Sequence, residues 1–244
     1  MKPRSSALFH FTKSENTLFK ILEGGFWPRY CLEDVEWQGL DDLDFVAFPM
    51  VCFCDIPLSR IADHVGFYGD WGLGLSKEWA EKNRLNPLMY LSSGSELHDA
   101  FSQTMQYIAE NAEDEKAPID NFRYMLAHTK PTKGRMLLGG EHLYKEFYQE
   151  SEWRYVPTSE KISSYLRRSA HEDEARLKTE NSKTKKHATL KFSPNDVKYV
   201  FVPKDSDIPS VINFMQTKLD GHPASDLKVL FSRVISLESI KGDI

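Results

Sequence analysis

The sequence predicts an α+β fold, one domain over residues 1–244 with a helical insertion at 94–138. Strand-length apolar runs cluster at both ends of the chain, at 7–11, 46–54, 199–202 and 229–235. Between them the periodicity turns helical, with Leu97, Phe101, Met105, Ile108 and Ala112 on one stripe and Ile119, Phe122 and Met125 on another. A composition of 41% hydrophobic and 12% aromatic residues supplies a packed core rather than disorder.

The elements follow in order. Ala7 to Phe11 reads as a strand. Thr12-Lys-Ser-Glu15 supplies a capping box for a helix striped by Leu18, Ile21 and Leu22 and stopped at Gly24-Gly25. Residues 26–44 read as loop, and a buried strand is expected to begin after Pro49 and run through Cys54. Gly72 and Gly74 alternate with Leu73 and Leu75, so a strand there has one bare face that another backbone or a ligand can approach. Ser76 caps the next helix, and Leu88 to Ser92 is a short strand. After the helical insertion, strands resume around Tyr148–Pro157. The doubly charged stretch from Ser159 to Lys186 reads as a mobile loop with a short helix at Ser169–Lys178. Strands at Thr189–Phe192, Tyr199–Val202 and Val229–Ile235 and a helix at Pro209–Leu219 complete the chain.

A net charge of −5 and a pI near 5.9 leave no global footprint for nucleic acid. No apolar run reaches about 18 residues, so no membrane partner is expected. The opening Met-Lys-Pro-Arg-Ser-Ser lacks the apolar run of a signal peptide, which points to a cytoplasmic protein. Cys31, Cys52 and Cys54 are then expected as reduced thiols. Scattered histidines offer no ligand spacing, so no metal is expected.

Two motifs carry the chemistry. Glu150-Ser-Glu152-Trp-Arg154-Tyr-Val reads as a strand on which Glu150 and Glu152 project to the same side. Paired carboxylates separate their pKa values, which suits glycosyl transfer; the plainer reading is a solvated edge strand. Arg154, two residues on, either pairs with Glu152 or reaches a pyrophosphate. The second motif is Leu8-Phe-His10-Phe-Thr12, where His10 is either a core histidine with one satisfied hydrogen bond or a ligand contact.

Phe9-His10-Phe-Thr12, Ile21-Leu-Glu-Gly-Gly25 and Trp27-Pro-Arg29-Tyr30-Cys31-Leu-Glu33 occur in that order. Met50-Val-Cys-Phe-Cys-Asp55-Ile-Pro-Leu58, Gly72-Leu-Gly74-Leu-Ser-Lys77-Glu-Trp79 and Glu152-Trp153-Arg154-Tyr-Val-Pro157 come after them. Together they resemble the AbiGi-type abortive phage infection family over roughly residues 7–92 and 147–157. That family in turn resembles a distant branch of the ADP-ribosyltransferase fold, with DNA-modifying toxins of the DarT kind showing a similar His-aromatic-Thr strand. The resemblance implies a split, curved β-sandwich and an NAD-dependent ADP-ribosyltransferase in phage defence. It would consume NAD as substrate, without metal, and modify a nucleic-acid or protein acceptor. Carried over, Glu152 is the catalytic carboxylate and Glu150 orients the acceptor. His10 with Thr12 meets the ribose; of the other candidates, Tyr68 either stacks on nicotinamide or is a buried tyrosine with a satisfied hydroxyl, and Arg29 and Lys77 are either phosphate partners or surface cations. The same resemblance carries a second class of function, a catalytically silent antitoxin that neutralises a cognate toxin. In that case the Glu152 region packs structurally.

Overall fold

Strand β1 (Ala7–Thr12) opens the structure, a computed structural model that describes residues 5–39, 43–111, 116–138 and 141–241. Helix α1 (Glu15–Gly24) follows, but its N-cap is Ser14 rather than Thr12. Thr12 still belongs to the strand, and the Ser14 hydroxyl accepts from the Thr17 N–H at 3.3 Å. The supposed loop at 26–44 contains strand β2 (Arg29–Asp34), antiparallel to β3 (Phe45–Cys54). β3 therefore starts ahead of Pro49, not after it. Tyr30↔Pro49 is one rung of a register running from Arg29↔Met50 to Asp34↔Phe45, and the remaining rungs hold the strand.

Helix α2 (Ile61–Tyr68), strand β4 (Trp71–Ser76), helix α3 (Lys77–Lys82) and the short strands β5 (Asn86–Pro87) and β6 (Met89–Leu91) come next. The helical insertion is realised as α4 (Glu96–Asn111) and α5 (Lys116–Ala127). It ends earlier than expected, because β7 (Thr129–Pro131) and β8 (Gly134–Leu138) already pair with strands. Then come β9 (Glu141–Lys145), β10 (Glu152–Tyr155), β11 (Leu166–Arg167), α6 (Arg168–Glu172) and α7 (Glu174–His187). β12 (Val197–Val202), α8 (Ile208–Lys218), α9 (Ala224–Phe231), β13 (Val234–Ser236) and α10 (Leu237–Ile240) finish the chain. The strand expected at 189–192 reduces to a single bridge, Leu190 with Phe26. The one expected at 229–235 begins at Val234, because Val229–Phe231 close α9. Among the described residues no helix is long and apolar enough to cross a membrane.

The chain divides into two compact units, each taken from separate segments: 1–27, 52–85 and 190–244 in the first, 28–51 and 86–189 in the second. The first unit is a mixed sheet in the order β13-β12-β4-β1, with the end of β3 beside β1 at Phe9↔Cys54. β1 and β4 pair over six residues, from Ala7↔Ser76 to Thr12↔Trp71. β12 and β13 run parallel, and α8 and α9 supply the crossover that a parallel pair needs. One face of the sheet buries Ala7, Phe9, Phe11 and Phe201 against Ile61 and Val65 of α2. The bare face at Gly72 and Gly74 is filled by rings from the flanking strands. A Cβ on Gly72 would lie 2.5 Å from the Phe11 ring, and one on Gly74 would lie 2.9 Å from Tyr199 and 3.0 Å from Phe9. Gly69, at φ +119°, brings the chain so close to the Thr12 carbonyl that a Cβ there would sit 2.3 Å from its oxygen.

In the second unit the first part of β3 lies between β2 and β11, with Ala47 opposite both Leu32 and Leu166. β6 and β7 form a parallel pair bridged by the α4–α5 crossover, and β8 with β9 makes a hairpin. The expected mobile loop at 159–186 is instead largely helical. α7 escapes an apolar-stripe criterion because the side it buries is polar: Glu180, Asn181 and Thr184. Asn181 Oδ1 accepts the Tyr30 backbone N–H at 3.1 Å, and the Thr184 hydroxyl donates to the Pro28 carbonyl at 2.6 Å. These bonds cover the open edge of β2. Asp173 caps the helix N-terminus, and Lys185, Lys186 and His187 sit in its last turn, where the helix dipole favours cations.

Candidate functional site

Strand β10 begins at Glu152, and this placement corrects the paired-carboxylate reading. Glu150 ends a 3-10 turn (Phe147–Glu150), and Ser151 adopts the left-handed region at φ 45°, ψ 53°. The extended backbone that would point Glu150 and Glu152 the same way is interrupted between them. Glu150 is buried and bonds Lys145 at 2.5 Å instead.

Glu152 and Arg154 do share a face of β10, and the structure binds them into a buried charge cluster. Arg154 is 0% exposed, and its Nε donates to Glu152 Oε1 at 2.7 Å. Its other nitrogens donate to Glu33 Oε1 at 2.9 Å and to the Ala127 carbonyl at 2.7 Å. Lys130 closes the ring, 3.2 Å from Glu152 Oε2 and 3.3 Å from Glu33, with its ammonium 4.5 Å above the Phe147 ring. Two carboxylates and two cations balance. The carboxylates outweigh the cost of burial and hold the Lys130 ammonium well above the usual lysine range. The Glu152 backbone N–H donates to the Tyr90 hydroxyl at 2.8 Å, and burial with the nearby Glu152 charge raises that phenol. Glu33 and Lys130 line a cavity of about 340 Å³ with Trp37, Arg135 and Phe147.

Glu33, Lys130 and Tyr90 were not foreseen as members. Glu33 lies on a strand read as loop, and Lys130 is a single cation after a helix, so their only signal is tertiary. Arg154 takes the ion-pair alternative, bonded to Glu152. Arg29 is exposed on β2, and Cys31 beside it is raised to about 11 by burial and by the Glu33 charge.

His10, Thr12 and Tyr68 belong to the first unit. His10 is half-buried, its Nδ1–H donates to the Cys52 carbonyl at 2.8 Å, and Phe26 and Phe53 flank the ring at 5.1 and 5.6 Å. Burial lowers its pKa, so the ring is neutral with Nε2 as the acceptor. Tyr68 lies 4.5 Å from the His64 ring. Lys77 bonds Asp55 at 2.7 Å. Cys31, Cys52 and Cys54 are thiols, with no disulfide among the described residues.

In the second unit His128 is buried, bonded through Nδ1 to the Tyr124 carbonyl at 2.9 Å, and lowered chiefly by burial. Folding thus holds His10 and His128 neutral, whereas in the unfolded chain they protonate near pH 6.5. The folded state binds fewer protons, so the stability these residues contribute is full above pH 6.5 and is lost as pH falls from there. Urea unfolding at pH 7.5 and 5.5 is expected to show a lower midpoint at 5.5. The drop shrinks in a His10→Gln/His128→Gln double variant; an unchanged drop would refute the assignment.

A family model described as "Putative abortive phage resistance protein AbiGi, antitoxin" matches residues 25–203. The chain belongs to the AbiGi family. It is 29% identical over 247 residues to the abortive phage resistance protein AbiGi of Lactococcus lactis subsp. cremoris, covering 89% of this chain and 99% of that protein. No solved structure matches. Glu33, Lys130, Glu152 and Arg154 all fall inside the AbiGi match, whereas His10 and Thr12 precede it.

Proposed function

We propose that this AbiGi protein serves abortive phage resistance as an antitoxin, a catalytically silent chain that neutralises a cognate toxin by binding it. One observation carries this reading. Glu152, the carboxylate that NAD cleavage would need, is 5% exposed, and its two oxygens bond Arg154 and Lys130. A carboxylate that stabilises an oxocarbenium-like ribose must turn an oxygen toward the sugar. Here that turn would break the bonds to Arg154 and Lys130 and leave Glu33 alone to face two buried cations. The antitoxin description of the matching family model points the same way.

ADP-ribosyl transfer to a nucleic-acid or protein acceptor is the second reading, favoured by the neutral, oriented imidazole of His10, which has an acceptor nitrogen suited to a ribose hydroxyl. It makes NAD a substrate and assigns Glu152 and Glu150 to catalysis and His10, Thr12, Arg29, Tyr68 and Arg154 to the dinucleotide.

The test compares wild type with Glu152→Gln for NAD consumption in cell extract and for thermal unfolding with and without NAD. The antitoxin reading expects no NAD consumption and no NAD-dependent shift, although ligand at 100 times its dissociation constant would add about 2.7 kcal/mol. It also expects Glu152→Gln to lose roughly 3 kcal/mol of stability, because one member of a buried ion-pair cluster is neutralised. In cells, it expects co-expression of the chain to relieve growth arrest by the toxin. NAD turnover by wild type that Glu152→Gln abolishes would transfer the conclusion to the second reading.

A further inference from the structure

A cavity of about 930 Å³ in the second unit takes no part in the Glu152 cluster. Half-buried Leu43, Ile108 and Ile119 give it an apolar floor together with buried Phe45, Phe48 and Phe122, and Tyr165 adds a ring. Three arginines line the cavity, Arg123, Arg167 and Arg168, against two carboxylates, Asp44 and Glu110.

The arginines differ in how far they are committed. Arg168 lies 5.3 Å over the Phe45 ring and is held by Asp44 at 2.5 Å and Glu172 at 2.8 Å. Arg123 lies 4.2 Å over the Tyr165 ring, and its two nitrogens reach Asp120 and the Tyr165 hydroxyl only at 3.4 Å each. Stacking fixes such a guanidinium by its face and leaves its edge donors for an anion. Arg167 is exposed and makes no side-chain ion pair among the described residues.

We propose that this cavity binds an organic anion with a planar ring, of the mononucleotide class. The ring lies on the apolar floor beside Tyr165, and the phosphate is gripped by Arg167 and Arg123. The volume is within the roughly 300–1,000 Å³ of small-molecule sites. The combination of an apolar floor with forked guanidinium donors matches the two halves of such a ligand. Free phosphate satisfies only the arginines and a free nucleoside only the floor, so each binds more weakly than the joined molecule.

The experiment is isothermal titration of the full chain with AMP, GMP, CMP and UMP, with inorganic phosphate and adenosine as separate arms. At least one mononucleotide is expected to bind one-to-one with Kd below about 1 mM, and about tenfold or more tighter than phosphate or adenosine. Arg167→Glu, at an exposed position, is expected to unfold at the wild-type temperature and to weaken binding about tenfold or more. Arg123→Ala is expected to weaken it as well, and higher salt to weaken it further. The proposal is overturned if no mononucleotide binds below 1 mM or if phosphate alone binds as tightly as the nucleotide. Wild-type affinity in both arginine variants also overturns it. Arg167 has no part in either reading of the Glu152 region, so this result is independent of both.

Discussion

Arg154→Ala is expected to destabilise the protein by about 3–5 kcal/mol, the loss typical of removing one partner from a buried ion pair. Arg154 is fully buried and donates to Glu152, Glu33 and the Ala127 carbonyl. Without it, two carboxylates share a single cation, Lys130, and a backbone carbonyl loses its donor. For a chain of this length each kcal/mol moves Tm by about 2–4 °C, so the melting temperature should fall on the order of 10 °C. Adding Glu33→Gln to Arg154→Ala should return part of the loss, because it removes one of the stranded charges. Thermal unfolding of the two single variants and the double variant measures the coupling. Additive losses would show that the cluster does not act as a unit.

Phe9→Ala should cost a similar amount, about 3–5 kcal/mol, by a different route. Phe9 is 1% exposed, and its ring lies 5.6 Å from Phe201 and 5.9 Å from Tyr199. It also occupies the space that a side chain on Gly74 would need. Truncation opens a cavity between two strands that cannot close without moving the β1–β4 ladder. The reciprocal change, Gly74→Ala, overpacks the same space and should cost about 1–3 kcal/mol. In the Phe9→Leu background that cost should shrink, since the smaller side chain makes room for the new methyl. Urea unfolding of the four proteins decides this. An undiminished Gly74→Ala penalty would mean that the ring is not what fills the glycine face.

Elements that bury apolar side chains at a regular period were legible in the sequence. β1, α1, β4 and α8 fall within a residue or two of their expected bounds because Phe9 and Phe11, Leu18 and Ile21, Leu73 and Leu75, and Val211 and Met215 mark the covered face. α7 was illegible for the opposite reason, since it docks through Asn181 and Thr184 and its composition reads as solvated charge. β2 was lost among charged residues whose partners come from distant strands. Within the candidate site, Glu152 and Arg154 were legible as a pair because two-residue spacing on a strand aligns them. Glu150 was misplaced because a serine, not a glycine, takes the left-handed turn at 151 and gives no warning of it. Glu33 and Lys130 reach the cluster only through tertiary pairing, which no local pattern encodes.

The division of the chain into interleaved segments has a consequence for its synthesis. The second unit has all of its residues once position 189 has been added, but the first unit waits for residues 190–244. Until β12 arrives, β4 has β1 on one side and no partner on the other, and the Phe9 and Phe11 rings lack Tyr199 and Phe201. A chain stopped short of β12 therefore shows water both an apolar sheet face and an open strand edge, the two features that drive aggregation of incomplete proteins. Chains truncated before β12 are expected to precipitate or to be cut by proteases more readily than the finished protein.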